Sequence, residues 1–211
     1  MSNIAITILS GLGPGNPSLA VLKLMLMNHC NGIVPTDITS TIKDYNLDNS
    51  AYVLQSAFGY FPVGSVHITA VDIFGGSTPR LLVAQKDGHY FIAPDNGILP
   101  LAFGGKLENT RLFFEFAKPY SFNEWINQCA LLAGSIISGG LLQATPFEFE
   151  KRIAPNLRRE LPDGIDCGIR YIDQYGNVVL DMDKDQFGLL VGGKSFNIRV
   201  PKADDITVVS N

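Results

Sequence analysis

The chain has 211 residues, of which 46% are hydrophobic and 17% are charged, and its formal net charge is −4. This composition supports a buried core and excludes a disordered chain, and the absence of a basic run argues against a nucleic-acid surface. No apolar run reaches the ~18 residues that a membrane span needs, so we expect no membrane partner. The N-terminus lacks a signal-peptide pattern, and the three scattered cysteines lack metal-site spacing. These features predict reduced thiols, a cytoplasmic protein and no metal.

The chain opens with a strand, a glycine-rich loop and a helix. Residues 4–9 are an apolar run of strand length, and the loop Ser10-Gly11-Leu12-Gly13-Pro14-Gly15-Asn16-Pro17 follows. Residues 18–28 are almost wholly apolar and have the length of a buried helix. This arrangement places anions at a helix N-terminus. The glycine spacing differs from G-x-G-x-x-G, so a dinucleotide-binding fingerprint is weak.

Residues 32–38 form a second predicted strand. A helix follows, for which Asp48 is the predicted cap, with Ala51, Leu54, Ala57 and Phe58 at helical spacing.

Three further short apolar runs, residues 65–71, 81–85 and 89–93, have the strand signature. Asp72 follows the first run, and Asp95 and Asn96 follow the third. Because ligands of open α/β sheets bind outside the carboxyl ends of strands, these polar residues mark a candidate site. The alternative is that residues 95–97 are a turn and that Asp72 caps a loop.

Residues 111–116 are another predicted strand, and Ser121 with Glu124 forms a capping box that opens a helix ending at Gly139-Gly140. Its apolar stripe has core spacing. The boundary falls near Gly140, giving an α/β domain over residues 1–140 with a mostly parallel sheet and helices on both faces. Residues 141–211 form a small antiparallel β domain, with strands in GIRYID, NVVLDM, FGLLV, SFNIRV and DITVVSN.

The string FPVGSVHITAVD, a glycine-rich loop, an Arg and then FIAPDNGIL resemble the S-adenosylmethionine hydroxide adenosyltransferases, relatives of the fluorinating and chlorinating enzymes. Members of that family read FP-x-GTVH-x-x-VVDPGVG-x-x-RR and then FVAPDNGLL. The resemblance covers residues 4–99 well and the remainder patchily. It implies attack of a water-derived hydroxide on the 5′ carbon of S-adenosylmethionine, giving adenosine and methionine, with no cofactor.

The resemblance also implies catalytic residues. The family's aspartate carries over to Asp72. Its arginine falls on Pro79, with Arg80 adjacent, and its histidine falls on Asn123. The candidate catalytic set is therefore Asp72, Arg80 and Asn123.

Ligand-binding positions carried over are Asn16, Ser18, Tyr45, Gly75 and Asn96. The family's aspartate that holds the ribose hydroxyls falls on Gly11, so we expect adenosine affinity at least ~10-fold weaker than with an aspartate there, a loss that Gly11→Asp should reverse. For Tyr45 the alternative is a partly buried structural tyrosine.

The resemblance implies a trimer in which Asp173, Tyr175 and Asn177 of a neighbouring subunit hold the methionine end of the ligand. The alternative is an ordinary hairpin turn.

Two functions fit these observations. One is a divergent S-adenosylmethionine hydrolase with weak activity. The other is a non-catalytic relative that binds a nucleoside or another small molecule.

Overall fold

The structure is a computed structural model that describes residues 4–43, 46–75, 78–104, 106–140, 144–149, 158–162, 164–173, 175–182, 184–193 and 195–198. Its contacts divide the chain into two compact units, Met1–Pro155 and Asn156–Asn211. The division lies beyond the boundary predicted near Gly140 because a short strand at residues 145–146 still pairs with the large sheet of the first unit.

A seven-stranded sheet forms the centre of the first unit. Its strands are β1 (Ile6–Ser10), β2 (Thr36–Thr39), β3 (Val66–Ala70), β4 (Arg80–Lys86), β5 (His89–Pro94), β6 (Glu108–Glu115) and β7 (Thr145–Pro146). In the order β2-β1-β3-β5-β4-β6-β7, the first four strands run parallel and the remaining pairings are antiparallel. The predicted mostly parallel sheet is confirmed.

Helices cover both faces of this sheet, as predicted. They are α1 (Pro17–His29), α2 (Leu47–Ala57), α3 (Ile98–Phe103) and α4 (Phe122–Ile137). One core cluster joins α1 and α4 to the sheet face that presents Ile6 and Ile8, with Trp125 fully buried. The other joins α2 and α3 to the opposite face, where Leu9 and Phe91 lie. Alternation of side chains along each strand therefore divides the core into two layers.

Of the two helix caps predicted from the sequence, one is present and the other is not. The capping box of Ser121 and Glu124 is present in full. At α2 the side chain of Asn46, not Asp48, accepts from a backbone N–H, that of Asn49, at 2.9 Å. The cap prediction for Asp48 was wrong because Asn46 lies one residue before the first helical turn, where its carbonyl oxygen reaches the exposed amides.

Strands β4 and β5 form a tight hairpin. Lys86 pairs with His89, and the two residues between them, Asp87 and Gly88, have φ values of 49° and 78°. An Asp-Gly turn with two positive φ values matches the right-handed twist of the flanking strands. The hairpin is therefore encoded locally.

The second unit contains two antiparallel hairpins, confirming the predicted small β sheets. Strands β8 (Arg158–Leu161) and β9 (Gly164–Cys167) pair with each other, as do β10 (Ile169–Ile172) and β11 (Val178–Leu180).

The strand predicted over residues 187–191 was wrong, because these residues belong to helix α5 (Lys184–Val191). Phe187, Leu190 and Val191 recur at i, i+3 and i+4, which is helical spacing, and Asp185 lies favourably in the first turn. The predicted strand at 195–200 is described only to residue 198, and that at 205–211 lies outside the described residues.

Cys30 and Cys129 are buried thiols that belong to no disulfide. Burial raises the pKa of Cys30 to about 11 and raises that of Cys129 as well, so both stay protonated near neutral pH. Within the described part of the chain, each helix is too short or too polar to cross a bilayer.

Two buried histidines bridge strands on the α2 face. The Nδ1 of His67 lies 2.8 Å from the Oγ1 of Thr7, and its Nε2 lies 3.1 Å from the Nδ1 of His89. The rings of Phe58 and Phe91 pack on His67 with centroids 6.2 Å and 5.0 Å away. Burial, and secondarily charge on His89, lowers the pKa of His67 to about 3, and burial also lowers that of His89 although Asp87 opposes it.

This arrangement predicts acid-sensitive folding. In the unfolded chain both histidines take up a proton near pH 6.5, whereas the native state resists protonation. Stability is therefore fully present above pH 6.5 and falls as the pH drops toward the native pKa, by about 1.4 kcal/mol per pH unit for His67, and His89 contributes in the same direction. Urea unfolding between pH 7.5 and 4.5 measures the slope.

The variant His67→Gln should lose about one proton from this slope. Equal slopes for wild type and His67→Gln would contradict the assignment.

Candidate active site

The carboxyl ends of three parallel strands share one edge of the sheet. Ser10 at the end of β1 lies opposite Ala70 at the end of β3, and β5 ends at Pro94. The glycine-rich loop, Asp72 and Asn96 each begin within one or two residues of these ends. The fold therefore brings together the three segments that the sequence assigned to a site, at the edge where α/β sheets bind ligands.

Asp72 lies in a strained backbone bend. Its φ is 45°, in the left-handed region that costs a non-glycine residue ~1–3 kcal/mol and persists only where its surroundings enforce it. The Nδ2 of Asn96 donates to the carbonyl of Val71 at 2.8 Å and lies 3.4 Å from the carbonyl of Asp72. The N–H of Gly75 also donates to the Asp72 carbonyl, at 3.2 Å. These bonds fix the backbone beneath a half-buried carboxylate.

The side chain of Asn96 is buried and bonded at both ends. Besides donating to the end of β3, its Oδ1 accepts from the N–H of Ile98 at 3.1 Å, in the first turn of α3. Gly97 between them has a φ of 91°, which favours glycine. Asn96 therefore organises the site edge, and its contact with a ligand stays a prediction.

Gly75 approaches the carboxylate closely. A Cβ at this position would lie 2.0 Å from the Oδ2 of Asp72, far inside any nonbonded contact. Any larger residue would push the carboxylate away, so the predicted site position Gly75 acts through the space that it leaves.

The glycine-rich loop is closed by the segment after β2. The N–H of Gly13 donates to the carbonyl of Ser40 at 2.7 Å, and a Cβ at Gly11 would lie 2.8 Å from the carbonyl oxygen of Ile42. Backbone thus approaches the position of the family's ribose-binding aspartate. Gly11→Asp must displace residues 40–42, so the predicted gain in adenosine affinity depends on that movement.

At the end of the same loop, Asn16 caps α1. Its Oδ1 accepts from the N–H of Ser18 at 2.9 Å. Asn16 and Ser18 therefore lie together at a helix N-terminus, the arrangement that favours an anionic ligand group.

Arg80 is engaged by two other carboxylates. Its Nε donates to Glu115 at 2.8 Å, its Nη1 lies 3.6 Å from Asp95, and its guanidinium lies 5.7 Å from the ring centre of Phe147. The hydrogen bond to Glu115 is the main cause that raises the pKa of Arg80. The guanidinium is thus held between β6 and the residue before Asn96.

Asn123 is exposed in the first turn of α4. Among the described residues, no hydrogen bond or ion pair joins Asp72 to Arg80 or to Asn123. The predicted catalytic trio is therefore not connected by direct contacts, and its joint role stays a prediction.

Tyr120 is a site residue that the sequence did not indicate. Its hydroxyl donates to the carbonyl of Ile73, directly after Asp72. Burial, and next the charge of Asp72, raises the pKa of the Tyr120 phenol. In the sequence Tyr120 merely precedes a capping box, and no spacing links it to Asp72.

The remaining predicted positions are Tyr45 and three residues of the second unit. Tyr45 falls outside the described residues. In the second unit, Asp173 accepts from the N–H groups of Tyr175 and Asn177 at 2.8 Å and 2.9 Å, and from Asn177 Nδ2 at 2.7 Å. The side-chain bond from Asn177 is the first cause that lowers the pKa of Asp173. These contacts are those of a hairpin turn, and a ligand role for the three residues stays a prediction.

We expect Asn96→Ala to destabilise the first unit by about 1–3 kcal/mol, because it leaves the buried Val71 carbonyl and the Ile98 N–H without their partner. Asn123→Ala, at an exposed position, should change stability by less than about 0.5 kcal/mol. Urea denaturation of both variants measures this difference. A similar small effect for both would show that water replaces the Asn96 amide.

Comparison with known proteins places these features in a family. The model of the SAM hydroxide adenosyltransferase N-terminal domain matches residues 6–124. A curated (R)-S-adenosyl-L-methionine hydrolase from Methanocaldococcus jannaschii is 29% identical over 154 residues, covering 71% of this chain and 54% of that protein. One of the same name from Thermus thermophilus is 34% identical over 95 residues, covering 45% of this chain and 37% of that protein. The chain thus spans about half or less of the curated relatives.

Solved structures show the same fold. An uncharacterized conserved protein from Thermotoga maritima has a TM-score of 0.72 at 22% identity, covering 98% of this chain and 83% of that one. A conserved hypothetical protein from Thermus thermophilus has a TM-score of 0.64 at 24% identity, covering 84% of this chain and 72% of that one. The family model spans more than half of the chain and includes the glycine-rich loop, the Asp72 bend and Asn96, so this chain belongs to the SAM hydroxide adenosyltransferase family.

Proposed function

We propose that this chain hydrolyses S-adenosylmethionine to adenosine and methionine, with Asp72 as the proton acceptor. The observation that carries the proposal is the Asp72 bend. A half-buried carboxylate stands at the carboxyl edge of the parallel sheet, on a backbone held in a costly conformation by Asn96 and Gly75. Strain enforced in this way clusters at functional sites, and the curated relatives named as hydrolases support the reaction.

The proposed step is a single displacement. Asp72 accepts a proton from water, the water oxygen bonds to the 5′ carbon of the substrate, and the bond between that carbon and sulfur breaks. Its electron pair stays on sulfur, so methionine leaves as a neutral thioether and needs no general acid. The demands on the protein are a positioned, partly desolvated water and a fixed line of attack.

Two groups that would help Asp72 are absent at their family positions. Pro79 has no side-chain donor, and Asn123 is a poor proton acceptor at neutral pH. Glu115 and Asp95 hold the guanidinium of the neighbouring Arg80. These ion pairs give no support for a contact between Arg80 and the reacting water. We therefore propose that turnover is slow.

A second candidate function is non-catalytic binding of a nucleoside or another small molecule. Its support is the closeness of the Ile42 carbonyl to Gly11, since that backbone stands beside the position of the family's ribose carboxylate. A ligand with a different polar group at that point would fit this arrangement better than ribose does.

The family resemblance also carries a proposal about assembly. In a homotrimer, Asp173, Tyr175 and Asn177 of one subunit would serve the site of its neighbour. The exposure of the Tyr175 side chain, 82%, is compatible with such a contact.

We expect slow adenosine release from S-adenosylmethionine by the wild-type chain and none by Asp72→Ala. The double variant Pro79→Arg with Asn123→His should release adenosine faster, because one preorganised polar group is commonly worth ~10²–10³ in rate. The backbone carbonyl of Pro79 accepts from Phe116 and is kept in the variant. Chromatography of the reaction mixture measures the product.

Brisk wild-type release that Asp72→Ala abolishes would show that Arg80 suffices and that the proposed slow rate is wrong. No release from any of the three proteins would favour the non-catalytic function.

We also expect Gly75→Ala to lose activity about 100-fold while remaining folded. The new methyl group displaces the Asp72 carboxylate, which is the movable end of a side chain, and a misplacement of about 1 Å can cost that much in rate. The control is Gly59→Ala, whose Cβ has open space and whose φ is not positive. Thermal unfolding and adenosine release measure the two effects, and equal activity of both variants would contradict the close approach.

A further inference from the structure

Two aromatic rings pack on the side chain of Tyr120 beside the Asp72 bend. Its ring stacks on Phe116 with centroids 4.6 Å apart and an interplanar angle of 18°. Phe74, two residues after Asp72, packs on the same ring with centroids 5.1 Å apart. These aromatic contacts join the segment before α4 to the loop that follows β3 and place the Tyr120 ring against that loop.

The hydroxyl of Tyr120 completes a run of bonded carbonyls. The carbonyls of Val71 and Asp72 receive the Nδ2 of Asn96, and the latter also receives the N–H of Gly75. The next carbonyl, that of Ile73, receives the Tyr120 hydroxyl. Three consecutive peptide groups around the left-handed residue are thus fixed, and the third depends on a side chain from a distant segment.

The negative charge of the Asp72 carboxylate also acts on the phenol of Tyr120. A phenol is protonated at neutral pH and can donate to Ile73, and burial followed by the negative charge of Asp72 raises the pKa of Tyr120 further. Because the charge of Asp72 contributes to this shift, the pKa of Tyr120 reports on the Asp72 carboxylate; a shift caused by burial alone would not.

We propose that Tyr120 is a positioning residue that fixes the Asp72 bend and thereby directs the Asp72 carboxylate toward the reacting water. This inference rests on the proposed hydrolysis for its catalytic consequence, and on the Tyr120–Ile73 contact for its structural part. Tyr120 acts through the backbone of Ile73 and not on the substrate.

The first measurement compares Tyr120→Phe with Tyr90→Phe. Both changes remove one hydroxyl from a partly buried tyrosine packed on the same core cluster. Tyr90, however, lies near the amino end of β5, whereas the candidate site lies at the carboxyl ends of the parallel strands. Tyr120→Phe should lower kcat about 10-fold at unchanged KM, because the loss is realised in the transition state. Tyr90→Phe should retain wild-type kcat. Equal kcat values for the two variants would overturn the proposal.

The second measurement does not need turnover. Carbon-13 NMR of ring-labelled tyrosine, with the Tyr120 signal assigned by its loss in Tyr120→Phe, follows ionisation of the phenol. Asp72→Asn should lower the pKa of Tyr120, since it removes the negative charge that opposes tyrosinate. An unchanged pKa would overturn the proposal. A lowered pKa in Asp72→Asn, together with a wild-type chain that releases no adenosine, would support the placement of Tyr120 beside Asp72 and reject the proposed hydrolysis.

Discussion

The buried amide of Asn96 is the interaction on which the candidate site depends. One end of this side chain donates to the carbonyl at the end of β3, and the other accepts from the first turn of α3. Because these groups are buried, neither has ready access to water as a substitute partner. The parallel pairing of β3 with β5 brings Asn96 beside Asp72, so the geometry of the candidate site follows from strand register.

Asp72 lies at the position of the family's carboxylate, but the groups near the site differ from those that the family resemblance implies. The segment after β2 closes on Gly11, and Arg80 forms contacts with two acidic side chains. An arginine between two carboxylates is electrostatically satisfied, and moving it toward a third would break bonds already made. Among the described residues, Arg80 and Asn123 form no hydrogen bond or ion pair with Asp72, and a slow hydrolase and a binding protein therefore remain the two candidate functions.

Much of the first unit was predictable from residue pattern. Apolar runs gave the strands of the sheet, and the capping box located the start of α4. The position of Asp72 at the end of a predicted strand marked it as a candidate site residue, and the motif resemblance gave it a catalytic role. The failures have local causes: Asn46 competes with Asp48 for the cap of α2, and the apolar run at 187–191 fits a helix as well as a strand. Short apolar runs do not distinguish the two.

The contacts that define the site were less predictable because they join distant segments. Nothing in the sequence pairs Tyr120 with Ile73, and the approach of Ile42 to Gly11 depends on how two loops meet in space. The strain at Asp72 is likewise invisible in the sequence, since aspartate is common in ordinary turns. Conformation at such positions is imposed by tertiary contacts.

The Asp-Gly hairpin of β4 and β5 has a consequence for the order in which the site assembles. A two-residue turn closes within microseconds, whereas the parallel pairing of β3 with β5 must bring β3, which precedes the hairpin in the chain, to the second strand of that hairpin. We therefore expect the β4–β5 hairpin, which Asn96 directly follows in the chain, to form before β3 pairs with it. We expect Asp72 to take its left-handed conformation at that docking step, because Asn96 holds the backbone there, and we expect Tyr120, which lies beyond β6 in the chain, to reach Ile73 later. We therefore expect the Asp72 carboxylate to be among the last groups to acquire its native geometry, so that a partly folded chain has the motif but not the arranged candidate site.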